Sequence, residues 1–347
     1  MRYWGHSLTR RSLAPLQDSL IVFSTIQCEY GRDSIHDSRG RTVHCMTDSI
    51  NSTMTARDWL MLVLLSILWG GSFFFTGVAV AELPPLTIVL VRVAVAAALL
   101  WCIVFISGIA RPASLSEWIA LLIMGLLNNV IPFTLIVWGQ TYIESGLASI
   151  FNASTPLFGV LLAGLLLKDE KLTRLKVAGA LIGFIGVVYM VGIDSLYGLD
   201  ANTLPQLAIV GAAISYGFAG VFGRRFKRFG IHPITTAAGQ VSASTFVLLP
   251  IALIVDQPFS LPMPSTSVVV SMLALAALST ALAYILYFNI LSSAGASNLL
   301  LVTFLIPVSA VLLGYLILGE RLSISHYIGM ALIGLGLSVI DGRLWTR

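Results

Sequence analysis

Residues 257–319 read QPFSLPMPSTSVVVSMLALAALSTALAYILYFNILSSAGASNLLLVTFLIPVSAVLLGYLILG, without one Asp, Glu, Lys or Arg. A run of this length is no soluble helix, but it holds two membrane spans and a tight hairpin. An α-helix needs about 20 apolar residues to cross a bilayer core of roughly 30 Å. Within that core every backbone polar group is bonded internally, so the spans are helices rather than open strands. Working outward, ten such stretches follow one another at 59–80, 86–109, 118–138, 145–167, 176–193, 206–223, 236–255, 267–289, 297–318 and 324–341. Hydrophobic residues make up 57% of the chain and charged residues 10%, against about 25% charged in soluble proteins. Cys28, Cys45 and Cys102 form no C-x-x-C pair, so neither a disulfide framework nor a zinc site is implied.

The basic residues give an orientation. One set of alternate connections holds Arg57, Arg111, Lys168, Lys171, Arg174, Lys176, Arg224, Arg225, Lys227, Arg228, Arg343 and Arg347. The other set holds Arg321 alone among basic residues, with Glu82, Glu144, Asp194, Asp200, Asp256 and Glu320. The positive-inside rule then puts both termini in the cytoplasm of a multi-pass protein of the cell (inner) membrane. The net charge of +4 is thereby topological, and nucleic acid is not expected as a partner. Residues 1–53 stand outside the pattern: they read as a disordered cytoplasmic tail, or as an upstream start assigned in place of Met46 or Met54. A regulatory or targeting tail is the alternative.

Gly146–Met190 and Gly295–Ile340 repeat each other. Each opens on Gly and small residues, carries a mid-span proline (Pro156, Pro307), and closes on Glu170-Lys171-Leu172-Thr173 or Glu320-Arg321-Leu322-Ser323. Each ends in a glycine-rich span, with Gly179, Gly183 and Gly186 matching Gly329, Gly334 and Gly336. Trp69-Gly70-Gly71-Ser72 has a weaker counterpart in Tyr216-Gly217-Phe218-Ala219. Five spans per copy force the second copy to insert upside down. Inverted repeats of this kind mark secondary transporters, with the substrate near the midplane. The expected fold class is therefore an all-α integral membrane protein of about ten helices in two inverted five-helix repeats, 59–193 and 206–341.

These motifs, with Leu83-Pro84-Pro85 before the second span and Arg92 inside it, resemble an EamA-type member of the drug/metabolite transporter superfamily. The resemblance covers about 54–341. It implies a ten-helix bundle around a central cavity built mainly from spans 1, 3, 4, 6, 8 and 9, often exporting amino acids, metabolites or toxic compounds. It does not name a ligand.

Several residues are site candidates, each with a plainer alternative. Pro156 and Pro307 remove a backbone hydrogen bond and kink their helices; paired interruptions point to a transporter's site, though either can be a packing kink. Their polar neighbours Asn152, Ser154, Thr155, Asn298 and Thr303 favour the first reading. Asn128 and Asn129 must face a cavity or another helix, because unpaired amides are costly in hydrocarbon. Adjacent residues point about 100° apart, so one of the two is expected at the cavity. Trp69 and Tyr284 suit a cavity wall, as do Trp138, Tyr216 and Tyr287 more weakly, or serve ordinary packing. Arg92 lies roughly 10 Å below the outer helix end. It either attracts a carboxylate or anchors the fold against Glu82 or Glu144, and the anchor is the preferred reading. Glu170 and Glu320 read as folding features at hairpins, with Thr173 and Ser323 as helix caps. The Gly179-x-x-x-Gly183 spacing serves close helix packing or a homodimer contact.

No carboxylate lies at mid-depth in any span, so coupling through a buried acid is disfavoured. Facilitated export, exchange and coupling by a peripheral Glu stay open. No H-E-x-x-H, Walker A loop or G-x-S-x-G elbow occurs, so an enzyme is not expected, and no cofactor is called for. The sequence reading is a carrier in the lipid bilayer for a small neutral or zwitterionic molecule, with a membrane sensor or scaffold that binds without flux as the rival.

Overall fold

A computed structural model of the protein describes residues 54–167, 172–191, 203–299 and 301–341, with 227, 228, 292, 296 and 297 by backbone alone. Of the first 53 residues it describes the backbone of a small antiparallel hairpin, Ser34–His36 paired with Thr42–His44. The rest of that segment, like Glu170 and Lys171, lies outside the described residues, and so does the expectation of a disordered tail.

Among the described residues the membrane part is built of helices. The spans are α1 (Ala56–Ala79), α2 (Pro85–Ile106), α3 (Leu115–Gln140), α4 (Ser145–Leu166), α5 (Arg174–Val191), α6 (Thr203–Gly223), α7 (Pro233–Val255), α8 (Thr266–Leu291), α9 (Val302–Leu318) and α10 (Ile324–Asp341). Among the described residues nine of them are long and apolar enough to cross a membrane, and α9 is a shorter apolar helix. Their starts follow from local chemistry. Thr55 with Asp58 and Ser114 with Glu117 form reciprocal capping boxes on α1 and α3. Proline at the first position opens α2 and α7, where its missing N–H costs nothing. Thr173 accepts from the Lys176 N–H as a cap, whereas the Ser323 hydroxyl pairs with that of Ser325 instead.

Four spans depart from α geometry. Leu126–Val130 in α3, Ala277–Leu282 in α8 and Gly314–Leu318 in α9 are π-helical turns. α4 is broken at Ala153–Ser154 into Ser145–Asn152 and Thr155–Leu166. Pro156 is thus the second residue of the new helix, not a proline inside a continuous one. The expected loss of a mid-helix hydrogen bond is corrected there, although Pro307 does lie inside its helix. Between α8 and α9 the chain turns at Gly295, whose φ of 78° is open to glycine and strained for residues with a Cβ.

The two five-helix sets pack by a reciprocal rule. α1 lies on α9 as α6 lies on α4; α1 lies on α8 as α6 lies on α3; α2 crosses α7, and α5 crosses α10. Matching atoms obey the same exchange. A Cβ added at Gly179 of α5 would sit 2.5 Å from the carbonyl oxygen of Gly336, and one at Gly186 2.8 Å from that of Gly329. Since Gly179 and Gly186 correspond to Gly329 and Gly336, each contact is the image of the other. Thr87 at the start of α2 bonds Asp256 at the end of α7, and Thr235 at the start of α7 bonds the Ala110 carbonyl beyond α2. The glycines proposed as a dimer contact are occupied within the chain: Gly179 meets Gly336 and Gly183 meets Leu157.

Gly179→Leu or Gly186→Leu is expected to cost about 3 kcal/mol or more, because carbonyl backbone rather than a movable side chain blocks the new group. Gly334→Leu, with nothing within 4 Å, is expected to be nearly neutral. Thermal unfolding of the purified variants checks this; equal losses at all three positions would remove the glycine seam from the argument.

Candidate functional site

A cavity of about 700 Å³ lies between the halves, within the usual range for small-molecule sites. Its wall begins with the paired motifs. Trp69 of α1 and Tyr216 of α6 both face the cavity. The glycine after each lets a broken or bent span close in: a Cβ at Gly70 would lie 2.9 Å from the Ala310 nitrogen of α9, and one at Gly217 3.2 Å from the Phe158 carbonyl carbon of α4. Trp69 packs on Tyr287 with ring centroids 5.8 Å apart. Phe73, Phe133, Tyr284 and Phe288 complete an aromatic lining.

Polar groups enter where the helices lose α geometry. In the α3 π turn, the Asn128 amide donates to Gln240 Oε1 (3.2 Å) and to the Tyr284 hydroxyl (3.1 Å). The Tyr284 hydroxyl donates in turn to Asn129 Oδ1 (3.0 Å), and the Asn129 amide donates to Ser244 (3.2 Å). In the α8 π turn, Thr280 accepts from Arg92 Nε at 3.0 Å. The guanidinium carbon of Arg92 sits 3.7 Å from the centroid of the Phe133 ring. Asn152 Oδ1, Gln140 Oε1 and Ser279 Oγ are buried without a hydrogen-bond partner among the described residues, and all three residues line the cavity.

Of the sequence candidates, Trp69, Asn128, Asn152, Thr155, Tyr216, Tyr284, Thr303 and Arg92 line the cavity, as does Tyr287. Two do not. Asn129 is 0% exposed and supports Tyr284 from behind. Asn298 is buried near the Gly295 turn, where its amide donates to the Ala294 carbonyl. Trp138 stacks edge-on with Tyr142 outside the lining. The preferred pairing of Arg92 with Glu82 or Glu144 is also corrected: Glu82 accepts from the Ser265 N–H and hydroxyl, both at 2.6 Å. Those bonds hold Glu82 below the usual carboxylate range. Residues not anticipated are Gln140, Gln240, Thr76, Phe133, Ser279 and Thr280. The glutamines carried a usable signal, since an amide in an apolar span needs a partner as much as an asparagine does.

The two ends of the cavity differ. On the face where α1 begins and α10 ends, the lining runs out to Gly223, Phe226, Ile231 and Pro233. At the opposite face, Gln140 donates to the Phe73 carbonyl (2.9 Å) and to Ser145 (3.2 Å). The Glu320 carboxylate there accepts from the N–H groups of Ser145 (2.8 Å) and Gly146 (2.9 Å), tying the α9–α10 connection to the start of α4. Beside it, burial and then the Glu320 charge push Glu144 above the usual carboxylate range, partly offset by the Arg321 N–H.

Residues 58–192 and 203–340 each match the EamA-like transporter family. The chain belongs to this family. It is 26% identical over 284 residues to the uncharacterized transporter YoaV of Bacillus subtilis, covering 80% of this chain and 94% of that one. It is 27% identical to the protein PecM of Dickeya dadantii (80% and 91% covered) and 26% identical to the uncharacterized inner membrane transporter YedA of Escherichia coli K12 (78% and 86%). A crystal structure sharing 20% identity superposes with a TM-score of 0.60 over 85% of this chain and 99% of the other, which supports the fold. This EamA protein is thus a multi-pass membrane transporter.

Asn129→Leu is expected to lower stability by about 1–3 kcal/mol, because it strands the Tyr284 and Ser244 partners in a dry site. Asn128→Leu, at the cavity wall, is expected to lower it less. Unfolding midpoints in detergent test the order; the reverse would place Asn129 at the binding surface.

Proposed function

We propose that this EamA protein is a secondary transporter that exports a small neutral or zwitterionic metabolite, amino-acid-like or drug-like, by alternating access. The observation that carries this reading is a cavity between two inverted halves, reaching the helix ends on one face and closed by hydrogen bonds on the other. An aromatic wall with a few fixed polar groups suits an organic molecule. Trp69, Asn128, Asn152, Thr155, Tyr216, Tyr284 and Thr303 are the binding residues in this reading, with Pro156 and Pro307 shaping α4 and α9. The excess of Lys and Arg on the terminal side supports cytoplasmic termini in the inner membrane, and so a cavity reached from the cytoplasm. The partners are the substrate and the bilayer; the internally packed glycines give a homodimer no support.

Export is read from the medium of cells overexpressing the full chain, against empty vector and a Trp69→Ala/Asn128→Leu variant. A metabolite enriched only by the active protein is the expected result. Ligand binding to the purified protein without flux in proteoliposomes would favour the sensor reading instead.

Glu320→Gln is expected to loosen the closed end. A cysteine placed at Thr76 should then react faster with an impermeant maleimide added outside cells. Unchanged labelling would show that Glu320 does not hold the closure.

A further inference from the structure

Arg92 is the only charged residue in the cavity lining among the described residues, and no acid meets it. Its side chain is 7% exposed. A guanidinium has five N–H donors; Nε is spent on Thr280, while the terminal N–H groups have no acceptor among the described residues. A buried cation without a counter-charge is costly, and charged side chains inside a membrane ordinarily pair. Two of the carboxylates that the sequence brings nearest are engaged elsewhere, Glu82 with Ser265 and Asp256 with Thr87.

We propose that Arg92 is the anion anchor of this cavity and that the transported molecule carries a single carboxylate on an apolar or aromatic body. The proposal rests on the transporter reading and replaces its neutral substrates with carboxylate-bearing ones, zwitterions among them. A planar guanidinium with free terminal N–H groups matches a carboxylate in a forked pair. One cation balances one negative charge, so a dianion such as a phosphate monoester would leave charge unmatched against Phe133 and Tyr284. Phe133 beneath the guanidinium and Thr280 on Nε fix the plane of the fork, and the body of the ligand lies toward Trp69, Tyr216 and Tyr287. Monocarboxylates and zwitterions share this anchor; amines and neutral amides do not.

Thermal unfolding of the purified full chain in detergent tests it with 3-phenylpropionate, 3-phenylpropionamide, 3-phenylpropylamine and sodium chloride at equal millimolar concentrations. The carboxylate is expected to raise the midpoint saturably, and the amide, amine and chloride are not. Arg92→Gln is expected to weaken that binding about 10- to 100-fold, and Arg92→Lys by less, because a point charge keeps attraction without the fork. Unliganded Arg92→Met is expected to unfold no earlier than wild type, since it removes an uncompensated charge. A clearly lower midpoint for Arg92→Met would make Arg92 a structural tie and overturn the proposal. No response to 3-phenylpropionate, an equal response to the amide, or the full response to chloride alone would also overturn it. Flux of labelled 3-phenylpropionate into proteoliposomes separates the two claims: Arg92-dependent binding without flux keeps the anchor and removes the carrier.

Discussion

A backbone N–H or C=O in hydrocarbon has no water to turn to, and that constraint decides where this bundle can be irregular. Three of its departures from α geometry border the cavity: the α3 π turn supplies Asn128, the α8 π turn supplies Ser279 and Thr280, and the α4 break is flanked by Asn152 and Thr155, whereas the α9 π turn lies outside the lining. Hydroxyls reclaim freed carbonyls at each place. Ser154 donates to Phe151 O (2.6 Å), Thr155 to Asn152 O (2.7 Å) and Thr280 to Leu275 O (2.9 Å). Irregular backbone and a polar cavity wall are therefore one feature, because protein side chains, not lipid, satisfy both.

The pseudo-twofold exchange gives the cavity matching walls with unlike chemistry. Arg92 and Gln240 occupy the same position, seven residues after the prolines that open α2 and α7. Each reaches the π turn of the neighbouring span, Arg92 to Thr280 in α8 and Gln240 to Asn128 in α3. Trp69 and Tyr216 are likewise equivalent, one a pure ring donor and the other a hydroxyl. The duplicated scaffold sets where a side chain enters the cavity, and divergence at those places sets what it meets. A cation on one side and an amide on the other give a ligand a preferred direction of lying.

The spans, their order and the repeat were legible because apolar length and glycine spacing are local properties. Trp69-Gly70 and Tyr216-Gly217 were legible as a pair because one sequence step couples a cavity ring to a close helix contact. Asn128 and Asn129 could not be told apart: a π turn changes the angle between successive residues, and nothing in LLNNV announces one. Asn298 was misplaced because the left-handed turn at Gly295 redirects the chain just before it. The partner of Arg92 was missed for another reason. Glu82 is close in sequence, yet Thr280 lies 188 residues away, and only the packing of α2 on α8 brings it near.

The two kinds of interface in the bundle differ in what it takes to part them. At α5–α10, backbone of the facing span lies within 3 Å of a Cβ built at Gly179, Gly186, Gly329 or Gly336, with the Met190 side chain also packed on Gly329, so these spans hold together as a fixed seam. At the closed end of the cavity, a carboxylate sits on the first N–H groups of α4, where the helix dipole favours negative charge by about 0.3–1 kcal/mol. Such bonds number only a few and can be exchanged for water when the end opens, each contributing about 1.5–3 kcal/mol net. In the proposed cycle the moving parts are therefore α4, α9 and the spans they lie on, α6 and α1. Those are the spans that carry Asn152, Thr303, Tyr216 and Trp69, so opening and closing would reshape the wall that touches the ligand while Arg92 and Gln240, on α2 and α7, stay in place.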